Sequence, residues 1–284
     1  MAESNVCKKL EQRMKVLEKK VAEKQLIIDK LRREIRNEKD DRELREYHNN
    51  VKNAKMATML ALAKLAEFRD DDTGTHLERI REYTKIIAEE MAKKPNYIGY
   101  ITKEYIEDIY HSSILHDIGK VGIPDAILLK PGRLTPDEFE LIKTHTTLGG
   151  DVITAVEAEI EGQTFLTLAK EIAYYHHERW DGTGYPKGLS GENIPLSARI
   201  VALPDVYDAL TSERIYKKVI SHEKARKIII SEKGKHFDPD VVDSFLAREN
   251  DFKLICENLH NEDFERGMEK CKKHRIGLFV LNKN

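Results

Sequence analysis

IEDIYHSSILHDIGK, residues 106–120, and LAKEIAYYHHERW, residues 168–180, decide how this chain is read. Each is an apolar segment of helical period that ends in adjacent polar residues. The first ends in His116-Asp117 and the second in His176-His177. Burying such a pair at the end of an apolar helix is costly unless something satisfies its nitrogens and oxygens. A divalent metal ion does so. Neutral imidazole plus carboxylate is a borderline-to-hard ligand set that suits iron, manganese, zinc or nickel. A lone histidine is more often a core or surface residue than a ligand, so the clustering carries the argument. His76, His111 and His145 are the other candidates in the same part of the chain.

Working outward from these segments, the pattern stays helical. MATMLALAKLAEF, residues 56–68, is rich in Ala and Leu and must enter a core. Helical patterns follow near 77–93, 102–116, 136–156, 165–178, 197–212, 222–231, 239–247 and 262–273. No run of alternating, β-branched residues reads as a strand, so the expected fold class is all-α. The irregular stretches are 121–134 and 180–196. The second holds Gly182, Gly184, Pro186, Gly188, Gly191 and Pro195, and long defined loops of this kind are often functional.

The first 73 residues contain neither Gly nor Pro, which favours continuous helix. Leu10, Met14, Leu17, Val21, Ile28, Leu31 and Ile35 fall on alternating steps of four and three, with Lys24 and Glu38 in the same seam. This reads as a coiled coil, and the expectation is a parallel homodimer through residues 8–45. Residues 1–55 carry 16 basic and 11 acidic side chains, a mixture suited to pairing along helix surfaces. The expected division is 1–56, helix and coiled coil, and 57–284, the domain that carries the histidines.

Composition excludes several classes. The net charge is −2, which argues against a partner such as a nucleic-acid polymer held by bulk positive charge. No run of 18 apolar residues suggests a membrane span, and the N-terminus lacks the apolar stretch of a signal peptide. Three cysteines, odd in number, do not make a disulfide framework. The expected location is the cytoplasm.

HDIGKVGIPD at 116–125 and HHERWDGTGYPKGL at 176–189 together resemble the HD-GYP subgroup of the HD phosphohydrolase superfamily. RDDDTGTHLERI at 69–80, KTHTTLGG at 143–150, DVYDALTSERIYK at 205–217 and GKHFDPDVVDSF at 234–245 extend the resemblance over about residues 60–247. It implies an all-helical HD-superfamily domain holding two or three divalent transition metals, iron or manganese first, with zinc or nickel as alternatives. It also implies hydrolysis of cyclic di-GMP to the linear dinucleotide and in some members onward to GMP.

By the same match, His76, His116, Asp117 and Asp205 are metal ligands shared across the superfamily, with Asp117 between two ions. His145, His176 and His177 are the subgroup's additional ligands. Lys120 contacts the scissile phosphate, and Arg214 and Lys217 hold the substrate's phosphates. Gly184, Tyr185 and Pro186 shape the pocket wall against the histidine pair, and Tyr185 is a substrate contact. His111 and His48 match nothing in the family.

The chain departs from the family's pattern twice. Asp72 stands where metal-rich members usually carry Glu, which withdraws the carboxylate by about one C–C bond, roughly 1.5 Å. Pro204 precedes Asp205 and removes a backbone donor from a helix, which either re-aims Asp205 or sits in an existing kink.

Two other functional classes compete with hydrolysis of cyclic di-GMP. One is a catalytically weak module that senses the dinucleotide or recruits partners. The other is a hydrolase of another cyclic dinucleotide or of a nucleoside phosphate. No sensor, receiver or cyclase domain is recognisable, so the regulatory input is left open between an unidentified signalling partner, the coil itself and a domain outside this sequence.

Overall fold

The computed structural model describes residues 24–27, 30, 42–68, 75–159, 165–212 and 219–257. The chain divides into two compact units, Met1–Thr58 and Met59–Asn284. In the first, residues 42–58 are helical and largely exposed. Of the heptad seam only Lys24 is described, in a helical and exposed position, and the rest of the seam lies outside the described residues.

The second unit is all-α among the described residues, apart from one isolated bridge between Lys233 and Phe237. Its helices are α1 (59–67), α2 (His76–Met91), α3 (Lys103–Ser112), α4 (Asp125–Leu128) and α5 (Pro136–Lys143). They are followed by α6 (His145–Ala158), α7 (Leu166–Tyr175), α8 (Leu196–Thr211), α9 (His222–Ser231) and α10 (Pro239–Ala247). Residues 249–257 are again helical. The helix anticipated at 262–273 lies outside the described residues.

Local chemistry sets the boundaries. Thr102 caps α3, accepting from the Tyr105 amide at 3.2 Å. α5 opens with a full capping box: Thr135 accepts from the Glu138 amide, and the Glu138 carboxylate accepts from the Thr135 amide at 2.7 Å. Pro136 fills the first turn, where no amide donor is needed. Asp238 caps α10, accepting from the Asp240 amide at 2.7 Å, and Pro239 fills its first turn.

α8 is the central helix. Leu196, Ala198, Ile200, Val201, Ala202 and Leu203 are all buried, so it is apolar on nearly every side. α2 and α7 pack against it, with α3 against α2 and α6 against α7. One core cluster gathers Tyr83, Ile87, Ile200, Tyr207, Phe245 and Phe252. A smaller one gathers Ala63, Leu77, Leu115, Ile153, Ala169 and Ala173, beneath the motif-bearing turns.

Two long helical patterns are broken in ways that matter for the site. The segment near 102–116 stops at Ser112 and tightens into a 3₁₀ turn, Ser113–Leu115. The segment near 136–156 is two helices joined at Thr144, which puts His145 at the first position of α6. In both cases hydrophobic periodicity runs through the break while the regular α-helical hydrogen-bond pattern is interrupted. Pro204 does not break α8, which runs unbroken as a helix from Leu196 to Thr211.

Candidate metal centre

The 3₁₀ turn after α3 delivers His116 and Asp117 into the interior, and both are buried. The turn continues through Ile118–Gly122 and lies directly on α6. A Cβ on Gly119 would come 1.9 Å from the His145 carbonyl oxygen, so only glycine permits this approach. The HDIG motif and His145 are therefore one packed unit.

His116, His145 and His176 share one arrangement. Their Nδ1 atoms lie 2.9, 2.7 and 2.9 Å from the carbonyl oxygens of Ser113, Ile142 and Ile172. A carbonyl only accepts, so Nδ1 carries the proton in each ring and Nε2 presents its lone pair. Those three Nε2 atoms and Oδ1 of Asp117 are buried without a hydrogen-bond partner. They converge instead. Oδ1 of Asp117 lies 3.2 Å from His145 Nε2 and 3.6 Å from His176 Nε2, while Oδ2 lies 3.3 Å from His116 Nε2. Asp117 thus faces histidines on two sides with its two oxygens. Orphaned, converging lone pairs of this kind fit a bound cation.

The ligand atoms form two groups. Asp117, His145, His176 and His177 offer atoms that all lie within 4.8 Å of one another, and so do Glu67, His76 and His116. Asp205 stands beside the second group, with Oδ1 3.9 Å from His116 Nε2. The structure therefore brings together His76, His116, Asp117, His145, His176, His177 and Asp205, from five parts of the chain. Lys120 joins them, with Nζ 2.8 Å from Asp117 Oδ2.

Two residues at the site were not singled out in the sequence reading. Glu67, at the end of α1, puts Oε1 3.8 Å from His76 Nε2. It supplies a carboxylate beside His76. Asp72 itself, with Arg214 and Lys217, lies outside the described residues. For Glu67 the available hint was one carboxylate closing the Ala- and Leu-rich helix MATMLALAKLAE. The second is Asp208 on α8, whose Oδ2 accepts from His76 Nδ1 at 2.7 Å. Arg79 holds the same carboxylate through Nε at 2.5 Å and Nη2 at 3.0 Å, and Arg79 Nη1 donates to Thr75. Asp208 does for His76 what a carbonyl does for the other three histidines.

Charge is organised to match. Burial pulls the His116 pKa down, but the Asp117 and Asp205 carboxylates outweigh it and hold the ring above its ordinary value. Carboxylates that favour a proton there favour any cation. Burial pushes the Asp117 pKa upward, yet Lys120 and His116 hold it well below the usual carboxylate range. Burial depresses His176, and depresses His177 strongly with help from His176 and His145, so both present neutral rings. Burial raises Glu67 to about 6 against the pull of His76 and His116.

The loop after α7 forms the wall. Glu178 is 2% exposed and accepts the Lys187 amide at 2.7 Å and the Leu189 amide at 3.0 Å. One buried carboxylate thereby ties the far end of the loop to the histidine pair. A Cβ on Gly184 would lie 2.3 Å from the Arg179 amide nitrogen, so the chain doubles back tightly there. Tyr185 stacks on His177 with ring centroids 4.8 Å apart and planes 27° apart, and the Tyr185–Pro186 peptide is cis.

A family model described as "HD domain" matches residues 60–241. Over 208 residues the chain is 50% identical to a Vibrio cholerae protein named cyclic di-GMP phosphodiesterase, covering 73% of this chain and 42% of that one. A second V. cholerae protein, named probable cyclic di-GMP phosphodiesterase, is 49% identical over 72% of this chain and 46% of its own length. A Thermotoga maritima protein named cyclic di-GMP phosphodiesterase is 43% identical over 71% of this chain and 51% of its own. The chain thus spans about half the length of these curated relatives, or somewhat less. With the HD turn and the histidine-paired GYP loop meeting around one set of buried lone pairs, the chain belongs to the HD domain family, in its HD-GYP branch.

Proposed function

We propose that this chain is a metal-dependent phosphodiesterase that hydrolyses cyclic di-GMP to the linear dinucleotide and, more slowly, to GMP, in bacterial second-messenger signalling. The observation that carries the reading is the set of unpartnered, buried Nε2 atoms of His116, His145 and His176 around Asp117 Oδ1. Asp117, His145, His176 and His177 would hold one ion, and Glu67, His76 and His116, with Asp205 beside them, would hold another. Asp72 is reserved for a third. Iron or manganese is the first choice, with zinc or nickel as alternatives.

When bound, such ions supply Lewis-acid charge to phosphoryl oxygens and lower the pKa of water at neutral pH. The chain's own residues do the rest. Lys120 places a cation beside Asp117, where a scissile phosphate gains negative charge in the transition state. Arg214 suits bidentate phosphate contact and Lys217 acts as a point charge, so both position the substrate. Asp117 stays ionised across the working pH range because Lys120 and His116 oppose its burial. Tyr185, fixed against His177, walls the pocket and excludes water from one side.

We further place the protein in the cytoplasm as a homodimer through the N-terminal coil, regulated by that coil or by a signalling partner. No helix among the described residues is long and apolar enough to cross a membrane.

The test is a substrate panel with chromatography of products. Anaerobically purified protein is reconstituted with Fe(II), Mn(II), Zn(II) or Ni(II) and offered cyclic di-GMP, other cyclic dinucleotides and nucleoside phosphates. Metal-dependent release of the linear dinucleotide, removed by chelator, is the expected result. No cyclic dinucleotide turnover with any metal would overturn the reading.

A further inference from the structure

The rings behind the metal centre continue outward to a solvent-exposed aromatic. His176 and His177 have centroids 4.1 Å apart, Tyr185 stacks on His177, and Phe139 of α5 meets Tyr185 edge-on at 6.4 Å. Phe139 is 46% exposed and belongs to neither core cluster. Lys143 lies one turn along α5. Its ammonium sits 4.9 Å from the Phe139 centroid and 5.4 Å from that of Tyr185. It also lies 2.6 Å from Oε1 of the exposed Glu140.

This group is held rigidly. α5 has its complete capping box, and Lys130 clamps Glu138 at 2.6 and 2.8 Å. At the other end α5 passes directly into His145. Tyr185 stacks on the metal side against His177. Tyr185 therefore touches both the histidine pair and the Phe139–Lys143 group. A single exposed Phe needs no explanation. An exposed Phe beneath a cation, on a rigid helix and in ring contact with the pocket wall, is a different arrangement.

We propose that Phe139 is the stacking platform for one guanine of the cyclic dinucleotide and that Lys143 reads the O6 and N7 acceptors of that base. The inference rests on the cyclic di-GMP reading and adds to it the residues that choose the base. A purine presents a π face that an aromatic ring accepts whatever the base. Its edge differs. Guanine offers two adjacent acceptors to a cation, whereas adenine offers an N6 donor at the same place, which a lysine cannot satisfy. Phe139 thus supplies affinity and Lys143 supplies preference for guanine.

Steady-state kinetics on the full, metal-reconstituted chain test this, with cyclic di-GMP and cyclic di-AMP as substrates. Phe139→Ala should raise KM for cyclic di-GMP about tenfold, the loss expected for one base–aromatic stack, with kcat and metal content little changed. Phe139→Trp should restore KM. Lys143→Met should narrow the kcat/KM preference for cyclic di-GMP over cyclic di-AMP about tenfold. An unchanged KM in Phe139→Ala overturns the platform. So does joint loss of kcat and bound metal without rescue by Trp, because that pattern marks a packing role. An unchanged base preference in Lys143→Met overturns the reading of that residue. Wild-type protein that cleaves bis(p-nitrophenyl) phosphate but no cyclic dinucleotide overturns the parent reading, and this inference with it.

Discussion

The Asp208 carboxylate lies 2.7 Å from Nδ1 of His76, across 132 positions of sequence, and both side chains are buried. The contact sets the ring's tautomer and turns Nε2 toward Glu67 and His116. Arg79 balances the remaining charge, with His76 and Arg79 together holding the Asp208 pKa well below the carboxylate range despite full burial. Partners of this kind tune metal affinity as ligands do. Asp208→Asn should weaken metal binding by about 10–100-fold. Metal titration with a chelating competitor checks this. The same variant leaves Arg79 without its counter-charge, so chemical denaturation should show a loss of roughly 3–5 kcal/mol.

Asp117 should be indispensable for turnover. Asp117→Ala removes the group on which three histidines converge, so kcat should fall below detection while far-UV circular dichroism keeps its helical signature. Metal content should fall with it. Near-normal turnover in this variant would contradict the shared-ligand assignment.

Gly119 and Gly184 should resist even the smallest side chain. An added Cβ would meet backbone atoms at 1.9 Å in the first case and 2.3 Å in the second. Backbone cannot rotate away as a side chain can. Gly119→Ala should therefore cost at least about 2 kcal/mol in urea melts, toward the upper part of the usual overpacking range. Gly184→Ala should loosen the loop that Glu178 ties down, which limited proteolysis near residue 187 would reveal.

His236 should make the fold acid-sensitive. Burial, helped by the nearby Arg179 guanidinium, lowers its pKa to about 4. Below its ordinary value near 6.5 the unfolded chain binds a proton that the folded one refuses, so stability falls as pH drops from about 6.5 toward 4. The contribution is bounded by about 3 kcal/mol. His236→Gln should flatten this limb of the stability–pH curve measured by denaturant unfolding.

Truncation should separate coil from domain. A chain starting near Met56 should sediment as a smaller assembly than the full chain. Equal stoichiometry would show that the catalytic domain holds the copies together.

Periodicity and motif spacing were enough to establish an all-helical chain, the two polar-ended helices, and His76, His116, Asp117, His145, His176, His177 and Asp205 as candidates. Those features are local: a helical stripe, an adjacent pair, and a glycine-rich loop are each complete within a dozen or so residues. Helix breaks at Ser113 and Thr144 were not legible, because hydrophobic period persists where the α-helical hydrogen-bond pattern is interrupted. Glu67 and Asp208 were not legible either. Glu67 is one carboxylate at the end of an Ala- and Leu-rich helix, Asp208 follows Asp205 by three positions, and nothing local distinguishes a ligand or its support from a surface residue. Their meaning arises only when α1 and α8 fold against the turn and helix that carry His116 and His76. Burial then strips most water from both carboxylates, and groups brought from elsewhere in the chain stand against them: His76 beside Glu67, and His76 with Arg79 at Asp208.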